Sequence, residues 1–432
     1  MDSIYALSSG AAPSGVAVIR ISGPRAGDAL VSLCGKLPEP RRATLRALRR
    51  PGDGAVLDRG LVLWFPGPRS ETGEDMTELQ AHGSRAVIQA IFEVLSSQGL
   101  RLAEPGEFIR RAFVNGKIDL TEVEGLADLI AAETEVQRRQ AIGQAGGALA
   151  KRAEEWREKL IGLRAEIEAR LDFSDEGDVP DELPAGFQEG AARLRADMLG
   201  TVIHFGAAER VREGFRVAIL GRPNAGKSSL LNALARREAA IVTAEEGTTR
   251  DVLELPLDVR GYPVLLFDTA GLREAASEAE REGVRRARAA GEAADLVLWL
   301  EDSTQESEAP PAFPEDVEVW RVSTKVDLGS RIPDQAIPTS ARTREGLEYL
   351  IDRIGGAAAF RLGSGSEIVT RERQRGEIER AAATLAEIAD AKADEIAADL
   401  LRSASEAIGR LTGRIGVEDV LDRLFREFCI GK

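Results

Sequence analysis

The segment Gly221-Arg222-Pro223-Asn224-Ala225-Gly226-Lys227-Ser228 limits the possible folds of this chain more than any other. Ahead of it runs Phe215-Arg216-Val217-Ala218-Ile219-Leu220, an apolar, β-branched stretch that reads as a buried strand. After it runs Ser229-Leu230-Leu231-Asn232-Ala233-Leu234, which reads as a helix. A strand, a glycine-rich turn and a helix N-terminus gather backbone N–H groups into a cage for phosphate oxygens. Lys227 would reach the β- and γ-phosphates, and the Ser228 hydroxyl would bind magnesium. The alternative, a glycine-rich strand-to-helix connection without a ligand, is disfavoured by the eight-residue pattern together with its flanks.

A chain of 432 residues carries about three domains. Its hydrophobic fraction of 43% and charged fraction of 30% fit a soluble globular protein. There is no apolar run of the length that spans a bilayer, so no membrane association is expected. Met1-Asp2-Ser3-Ile4-Tyr5 lacks the basic-then-apolar order of a signal peptide. Two distant cysteines, Cys34 and Cys429, suit a reducing compartment, and the expected location is cytoplasmic. A net charge of −15 argues against general coating by nucleic acid. The runs Arg41, Arg42, Arg46, Arg49, Arg50 and Arg281, Arg285, Arg286, Arg288 are either solvated faces or local RNA contacts.

Residues 1–117 read as α/β, with strands at Val16–Ile21 and Gly60–Phe65 and a helix over Ala86–Leu95. From Leu120 to Leu171 three- and four-residue apolar spacing predicts long helix, followed by an acidic loop and a further helix over Gly186–Val211. Between 214 and 356 strands alternate with helices, which indicates a mostly parallel sheet. Strands are expected at Arg216–Leu220, Pro263–Phe267, Leu296–Leu300 and Val317–Val322. Residues 357–432 return to helix. Helices thus flank an inserted α/β domain, as one discontinuous helical domain over 118–213 and 357–432 or as two separate helical domains.

Downstream of the phosphate loop come the remaining parts of a guanine-nucleotide site. Thr248 and Thr249 lie in the polar loop Thr243–Arg250, where a hydroxyl completes a magnesium shell. Asp268-Thr269-Ala270-Gly271 follows an apolar strand and would meet the metal and the γ-phosphate. In Thr324-Lys325-Val326-Asp327 the last carboxylate accepts two N–H donors from guanine, a pairing that adenine lacks. Asn is usual at the first position of this motif, so Thr324 predicts retained but softened guanine selectivity. Ser340-Ala341-Arg342 would close over the base. Leu272 stands where Ras-like enzymes hold a water-orienting Gln, so the domain is a slow switch or hydrolyses by another route. Asn224 could help to hold a monovalent cation. Glu280 is open between positioning water and being a solvated charge among Glu274, Glu278 and Glu282.

With these motifs and the terminal Cys429-Ile430-Gly431-Lys432, the chain resembles, over essentially its full length, the tRNA-modification GTPase family MnmE, also called TrmE. Val18-Ile19-Arg20-Ile21-Ser22-Gly23, Leu63-Trp64-Phe65-Pro66-Gly67-Pro68, Thr72-Gly73-Glu74-Asp75, Pro105-Gly106-Glu107-Phe108, Arg111-Ala112-Phe113 and Asn115-Gly116-Lys117 carry the resemblance. It implies an N-terminal α/β folate-binding and dimerising domain, a discontinuous helical domain and an inserted Ras-like P-loop G domain. It also implies a homodimer that joins the FAD-dependent partner MnmG in a heterotetramer. Together these act on the wobble uridine of certain tRNAs, adding a carboxymethylaminomethyl or aminomethyl group at carbon 5. The one-carbon unit comes from a 5-formyl or 5,10-methylene tetrahydrofolate.

By position, the resemblance places the folate on Arg20, Glu78, Lys117 and Lys432, and the water-orienting role on Glu280. Potassium would sit against Asn224, Thr243, Glu245 and Thr248, and magnesium against Ser228 and Thr249. An apolar residue is usual where this chain has Glu245: harmless if its carbonyl is the ligand, altering potassium affinity if its side chain intrudes. The nucleotide would touch Asn224, Ala225, Gly226, Lys227, Ser228 and Ser229 in the loop, and Thr243, Ala244, Glu245, Glu246, Gly247, Thr248 and Thr249 beyond it. It would also touch Asp268, Thr269, Ala270 and Gly271, then Thr324, Lys325 and Asp327, then Ser340, Ala341 and Arg342. Cys429 is either a thiolate nucleophile toward the uracil ring or a small apolar residue near the chain end. Residues alone also allow a GTP-dependent assembly switch, or a scaffold with a vestigial G domain.

Overall fold

The computed structural model describes residues 2–172, 185–237, 253–268, 291, 293–307, 309–315, 317–391, 393–416, 418–428 and 431. Its elements group into two units by contact. One is built from residues 1–127, 145–191 and 384–432, the other from 128–144 and 192–383.

In the first unit, two-residue alternation builds a sheet. Along β2 (Ser14–Ser22), Ala17, Ile19 and Ile21 are fully buried while the intervening residues are not, as one-sided burial of a strand requires. In chain order the elements are β1 (Ile4–Leu7), β2, α1 (Ala26–Cys34), β3 (Thr44–Arg49), β4 (Val56–Phe65), β5 (Met76–Gly83), α2 (Arg85–Ser97), β6 (Arg101–Leu102) and α3 (Glu107–Val114). The six strands lie in the order β3-β4-β5-β2-β1-β6, antiparallel except for the β1–β6 pair. Ile19, Ile21, Val62 and Leu79 pack against Leu30 and Leu33 of α1 and Ile91 and Leu95 of α2.

Helix follows, in α4 (Leu120–Ala131), α5 (Glu135–Ala145), α6 (Ala148–Asp172), α7 (Ala185–Val202) and α8 (Phe205–Glu213). Two stretches that the periodicity joins are divided. Between α4 and α5 the cause is a capping box: Thr134 Oγ1 accepts from the Gln137 N–H (3.4 Å), and Gln137 Oε1 accepts from the Thr134 N–H (3.2 Å). Apolar spacing runs through such a cap undisturbed, so periodicity does not register it. The helix expected over Gly186–Val211 likewise breaks between α7 and α8.

The second unit carries β7 (Phe215–Gly221), α9 (Lys227–Arg237), β8 (Leu253–Val259), β9 (Tyr262–Asp268), β10 (Leu296–Asp302), β11 (Glu318–Thr324), β12 (Ile337–Pro338) and α10 (Leu347–Leu362). Its six-stranded sheet has the order β12-β11-β10-β7-β9-β8, and only β8 is antiparallel to its neighbour. Val217, Ile219, Leu298 and Val322 pack on one face against Leu230 and Leu234 of α9 and Leu350 and Ile354 of α10. The chain leaves β7 toward β9 on one side and later returns through β10 on the other. This reversal opens a crevice at the carboxyl ends of β7 and β10, where open α/β sheets bind ligands.

The remaining helices are α11 (Glu372–Glu387), α12 (Asp394–Thr412) and α13 (Glu418–Glu427). Helices from before and after the inserted sheet meet within each unit. In the first, α6 runs along α12, tied by Arg170–Asp394 (2.9 Å), and Glu154 pairs with Arg414 just past α12 (2.9 Å). In the second, Gln144 donates to Thr370 (2.6 Å) and Asp128 pairs with Arg371 (2.6 Å). The helical domain is therefore discontinuous in sequence, as one of the two expected arrangements has it.

Candidate functional site

The phosphate loop lies at the carboxyl end of β7, in the crevice. Gly221 opens it at φ 143°, and a Cβ there would lie 2.4 Å from the Leu300 carbonyl oxygen of the neighbouring strand. Only glycine lets the two backbones approach so closely. Asn224 stands at φ 63°, a left-handed conformation that asparagine tolerates better than most residues. Lys227, first in α9, donates from Nζ to the carbonyls of Gly221 and Arg222, both at 2.8 Å. Its ammonium is thus folded across the loop mouth. Ser228 and Ser229 are exposed in the first turn of α9.

Two residues from the end of β11 bind this loop from beneath. Thr324, buried, places its hydroxyl 2.7 Å from the Ala225 carbonyl and 3.1 Å from the Glu301 carbonyl. Lys325, at φ 56°, donates from Nζ to the Asn224 carbonyl (2.8 Å) and to Asp302 (2.7 Å). Burial pushes the Asp302 carboxyl up, but Lys325 and Thr304 outweigh it and hold it below the usual range. Asp302 was not anticipated from the sequence. The available signal was its place at the carboxyl end of a strand beside the phosphate-loop strand.

Beyond Lys325 the chain turns into a cavity of about 300 Å³ lined by Gly226, Ser229, Lys325, Asp327, Ser340 and Arg342. Asp327 forms its polar wall. Ser340 donates to Oδ1 (2.6 Å) and Arg342 to Oδ2 (2.8 Å). The Ser340 hydrogen bond and the Arg342 guanidinium keep this carboxyl below its ordinary pKa although partial burial opposes them, so it is an acceptor only. Each oxygen retains a lone pair for the paired N–H edge of guanine. Ala341 is half-buried, while the Arg342 side chain is 73% exposed at the rim and Asp327 only 9%.

Of the sequence-predicted nucleotide residues, Asn224, Ala225, Gly226, Lys227, Ser228, Ser229, Thr324, Lys325, Asp327, Ser340, Ala341 and Arg342 are thus gathered around one crevice and its cavity. Asp268 ends β9 beside the loop strand, opposite Ile219. Thr243, Ala244, Glu245, Glu246, Gly247, Thr248, Thr249, Thr269, Ala270, Gly271, Leu272 and Glu280 lie outside the described residues.

In the first unit, Arg20 and Glu78 face each other directly across β2 and β5, with Arg20 Nε 2.9 Å from Glu78 Oε1. Arg20 also reaches Glu71. Lys117 lies against Gly73 of the same 71–75 loop, a Cβ on which would stand 3.0 Å from Lys117 Cε. Three of the four predicted folate residues therefore converge on or beside this loop, with Lys117 brought there by Gly73. Lys432 and Cys429 lie outside the described residues, but Gly431 between them is placed: its carbonyl accepts from Ser8 Oγ at 2.7 Å.

A second group is the ion network around Arg111, a residue that carries the resemblance together with Glu74 and Glu107 but whose network is not among the sequence expectations. Its buried guanidinium meets Asp2 (2.7 Å), Glu74 (3.0 Å) and Glu107 (3.0 Å). The pattern Glu107-Phe108-Ile109-Arg110-Arg111 held a four-residue acid–base spacing that could have signalled it.

A six-stranded sheet with this order, a phosphate loop at its reversal and a carboxylate-walled base cavity define a P-loop GTP-binding protein. The model of the MnmE helical domain matches residues 120–429, and that of the GTP-binding protein TrmE N-terminus matches residues 3–117. The chain belongs to the MnmE (TrmE) family of tRNA modification GTPases. It is 49% identical over 440 residues to the tRNA modification GTPase MnmE of Rhodopseudomonas palustris, covering 100% of this chain and 99% of that one. The MnmE of Rhizobium meliloti is 52% identical over 436 residues, with 100% and 99% covered. That of a Methylobacterium species is 53% identical over 442 residues, with 100% of both covered. Among solved structures, the G domain of the T. maritima FeoB iron transporter is 27% identical over 33% of this chain and 98% of that one, at a TM-score of 0.25.

Proposed function

We propose that this chain is a potassium-activated GTPase that works as a homodimer with MnmG in the cytoplasm. The complex adds a carboxymethylaminomethyl or aminomethyl group to carbon 5 of the wobble uridine of certain tRNAs. The observation that carries the GTPase reading is the single crevice in which the phosphate loop and the Asp327 cavity are joined by Thr324 and Lys325. The family to which the chain belongs supports the tRNA substrate.

Among the described residues, the phosphate loop and the Asp327 cavity support this reading for the nucleotide. Lys227 is held at the loop mouth by two carbonyls it can exchange for phosphate oxygens. Ser228 together with Thr249 would hold magnesium, which neutralises charge on the phosphates when bound. Potassium would be held by Asn224, Thr243, Glu245 and Thr248, and Glu280 would orient water in place of the missing glutamine. Arg20, Glu78, Lys117 and Lys432 would hold a tetrahydrofolate derivative, whose glutamate carboxylate suits a guanidinium. FAD belongs to the partner protein in this reading.

The test is GTP turnover in potassium and in sodium as protein concentration varies. The expected result is a rate per molecule that rises with concentration in potassium and stays low in sodium. Equal, concentration-independent rates in both salts would overturn activation by pairing of G domains.

A further inference from the structure

We infer that the edge ribbon of β3 and β4 in the first unit docks the phosphate backbone of tRNA, through Arg41, Arg49 and Arg59. This inference rests on tRNA being the substrate of this chain. Of the two alternatives open for the basic run at 41–50, it selects RNA contact.

The charges of this ribbon do not balance. Residues 39–65 hold six arginines and three carboxylates. Each carboxylate is already engaged. Glu39 pairs with Arg42 (2.8 Å) and Asp53 with Arg50 (3.5 Å). Asp58 accepts from the His82 backbone N–H (2.7 Å) and lies 2.8 Å from the His82 ring nitrogen. Among the described residues, Arg41, Arg46, Arg49 and Arg59 are left without a carboxylate. Arginines on the helices differ: Arg138, Arg157, Arg375 and Arg402 each hold an acid three residues before them. In a chain of net charge −15, this ribbon therefore stands out as uncompensated positive charge.

The backbone displays that charge outward. Leu48 is fully buried in the core with α1 and α2, so by alternation Ala47 and Arg49 lie on the other face of β3. Arg59 stands directly opposite Ala47 and is exposed, as Arg49 is. Asp58, opposite Leu48, belongs to the inner face and does not neutralise Arg59. Arg49 donates to the Gly54 carbonyl (3.0 Å), a neutral partner. Arg41, just ahead of β3, is held at φ 62°, unfavourable for a long side chain. Its guanidinium rests over the Phe65 ring, 5.7 Å from the centroid. Stacked in this way, it keeps its N–H edge for an anion.

The six residues of β3 span about 20 Å between these two ends, more than one free phosphate can bridge. A chain of phosphates fits. β3 is also the edge of the sheet, open along its free side. Charge on an edge strand discourages pairing with other chains, but charge of either sign does that. Several guanidinium groups of one sign match a polyanion.

The test is binding of labelled tRNA to the full chain as salt is varied. Arg41→Gln, Arg49→Gln and Arg59→Gln together should weaken binding about tenfold or more at low salt, and flatten the slope of log affinity against log salt by about 2–3. Lysine at the same three positions keeps the charge and should keep most of the slope. Arg138→Gln with Arg402→Gln removes exposed arginines that are already paired, and should leave affinity and slope unchanged. Equal GTP binding by all variants reports that they are folded. Wild-type affinity and slope in the triple glutamine variant overturn the inference. That holds equally if the variant aggregates, as edge protection would have it, or changes oligomeric state, as contact with a second copy would. Absence of tRNA binding by the wild-type chain would instead overturn the substrate reading on which it rests.

Discussion

At the scale of single residues, the guanine assignment turns on Asp327. The candidate was legible from Thr324-Lys325-Val326-Asp327 alone, because a carboxylate at that spacing after a strand has few other uses. What was not legible was the arrangement that prepares it. Ser340 and Arg342 are brought to Asp327 only by the parallel pairing of β11 with β12, and no local pattern records that pairing. Asp327→Asn replaces one acceptor oxygen by a donor and should weaken GTP at least tenfold while strengthening xanthosine triphosphate. Competition binding with both nucleotides checks this, and unaltered GTP affinity would refute it. The pH dependence has a definite sign. The Ser340 hydrogen bond and Arg342 hold the Asp327 carboxyl below the ordinary aspartate value, so guanine affinity should be complete above that ordinary value and be lost only as pH falls through the lowered one.

Among the elements, β8 is the instructive omission. Leu253-Glu254-Leu255-Pro256-Leu257-Asp258-Val259 alternates as a strand should, yet Pro256 speaks against one. The conflict disappears because β8 is the edge of the sheet, where a missing N–H costs no ladder bond on its free side. Arg260 and Gly261 then make the turn to β9 with φ 56° and 87°, both positive, the two-residue geometry that matches strand twist. The turn is held from outside: Gly261 offers its carbonyl to the Val136 N–H of α5 (3.1 Å), and Arg260 pairs with Glu348 and Asp352 of α10. Gly261→Val places a β-branched residue at positive φ and should cost about 1–2 kcal/mol. Thermal unfolding measures that loss, and an unchanged midpoint would contradict the turn assignment. The strands β2, β4, β7, β9, β10 and β11 were legible because each is buried strongly enough on at least one face to write its pattern into the sequence.

At the scale of the whole molecule, composition and motif order carry further than local pattern. The phosphate loop and the nucleotide motifs that follow it, set between helical stretches, suggested an inserted G domain among helices. The division of helical segments between two contact units was not legible, since it depends on which distant helices meet. In the first unit Arg111 is such a long-range tie, joining α3 to residue 2 and to the 71–75 loop. Arg111→Ala would take from the largely buried Glu74 its guanidinium partner, while Glu107 keeps Arg101, and should cost ~3 kcal/mol, read by urea unfolding. Burial alone would raise the Glu107 carboxyl, but Arg101, the Glu104 N–H and Arg111 bring it below 4.5. Its share of the stability is therefore present above pH 4.5 and falls away as acid takes pH through the lowered value. A variant as stable as the parent would show the network to be dispensable.

The hairpin of β8 and β9 also limits how this sequence can change in length. Leu253, which follows the segment containing Thr249, pairs directly with Asp268, which opens the next phosphate-sensing motif. One residue added to either strand would slip the register and turn every side chain beyond it to the opposite face. Residues lost or gained inside this ribbon must therefore come two to a strand on both strands, or be taken up as a bulge, to keep the remaining side chains on their faces.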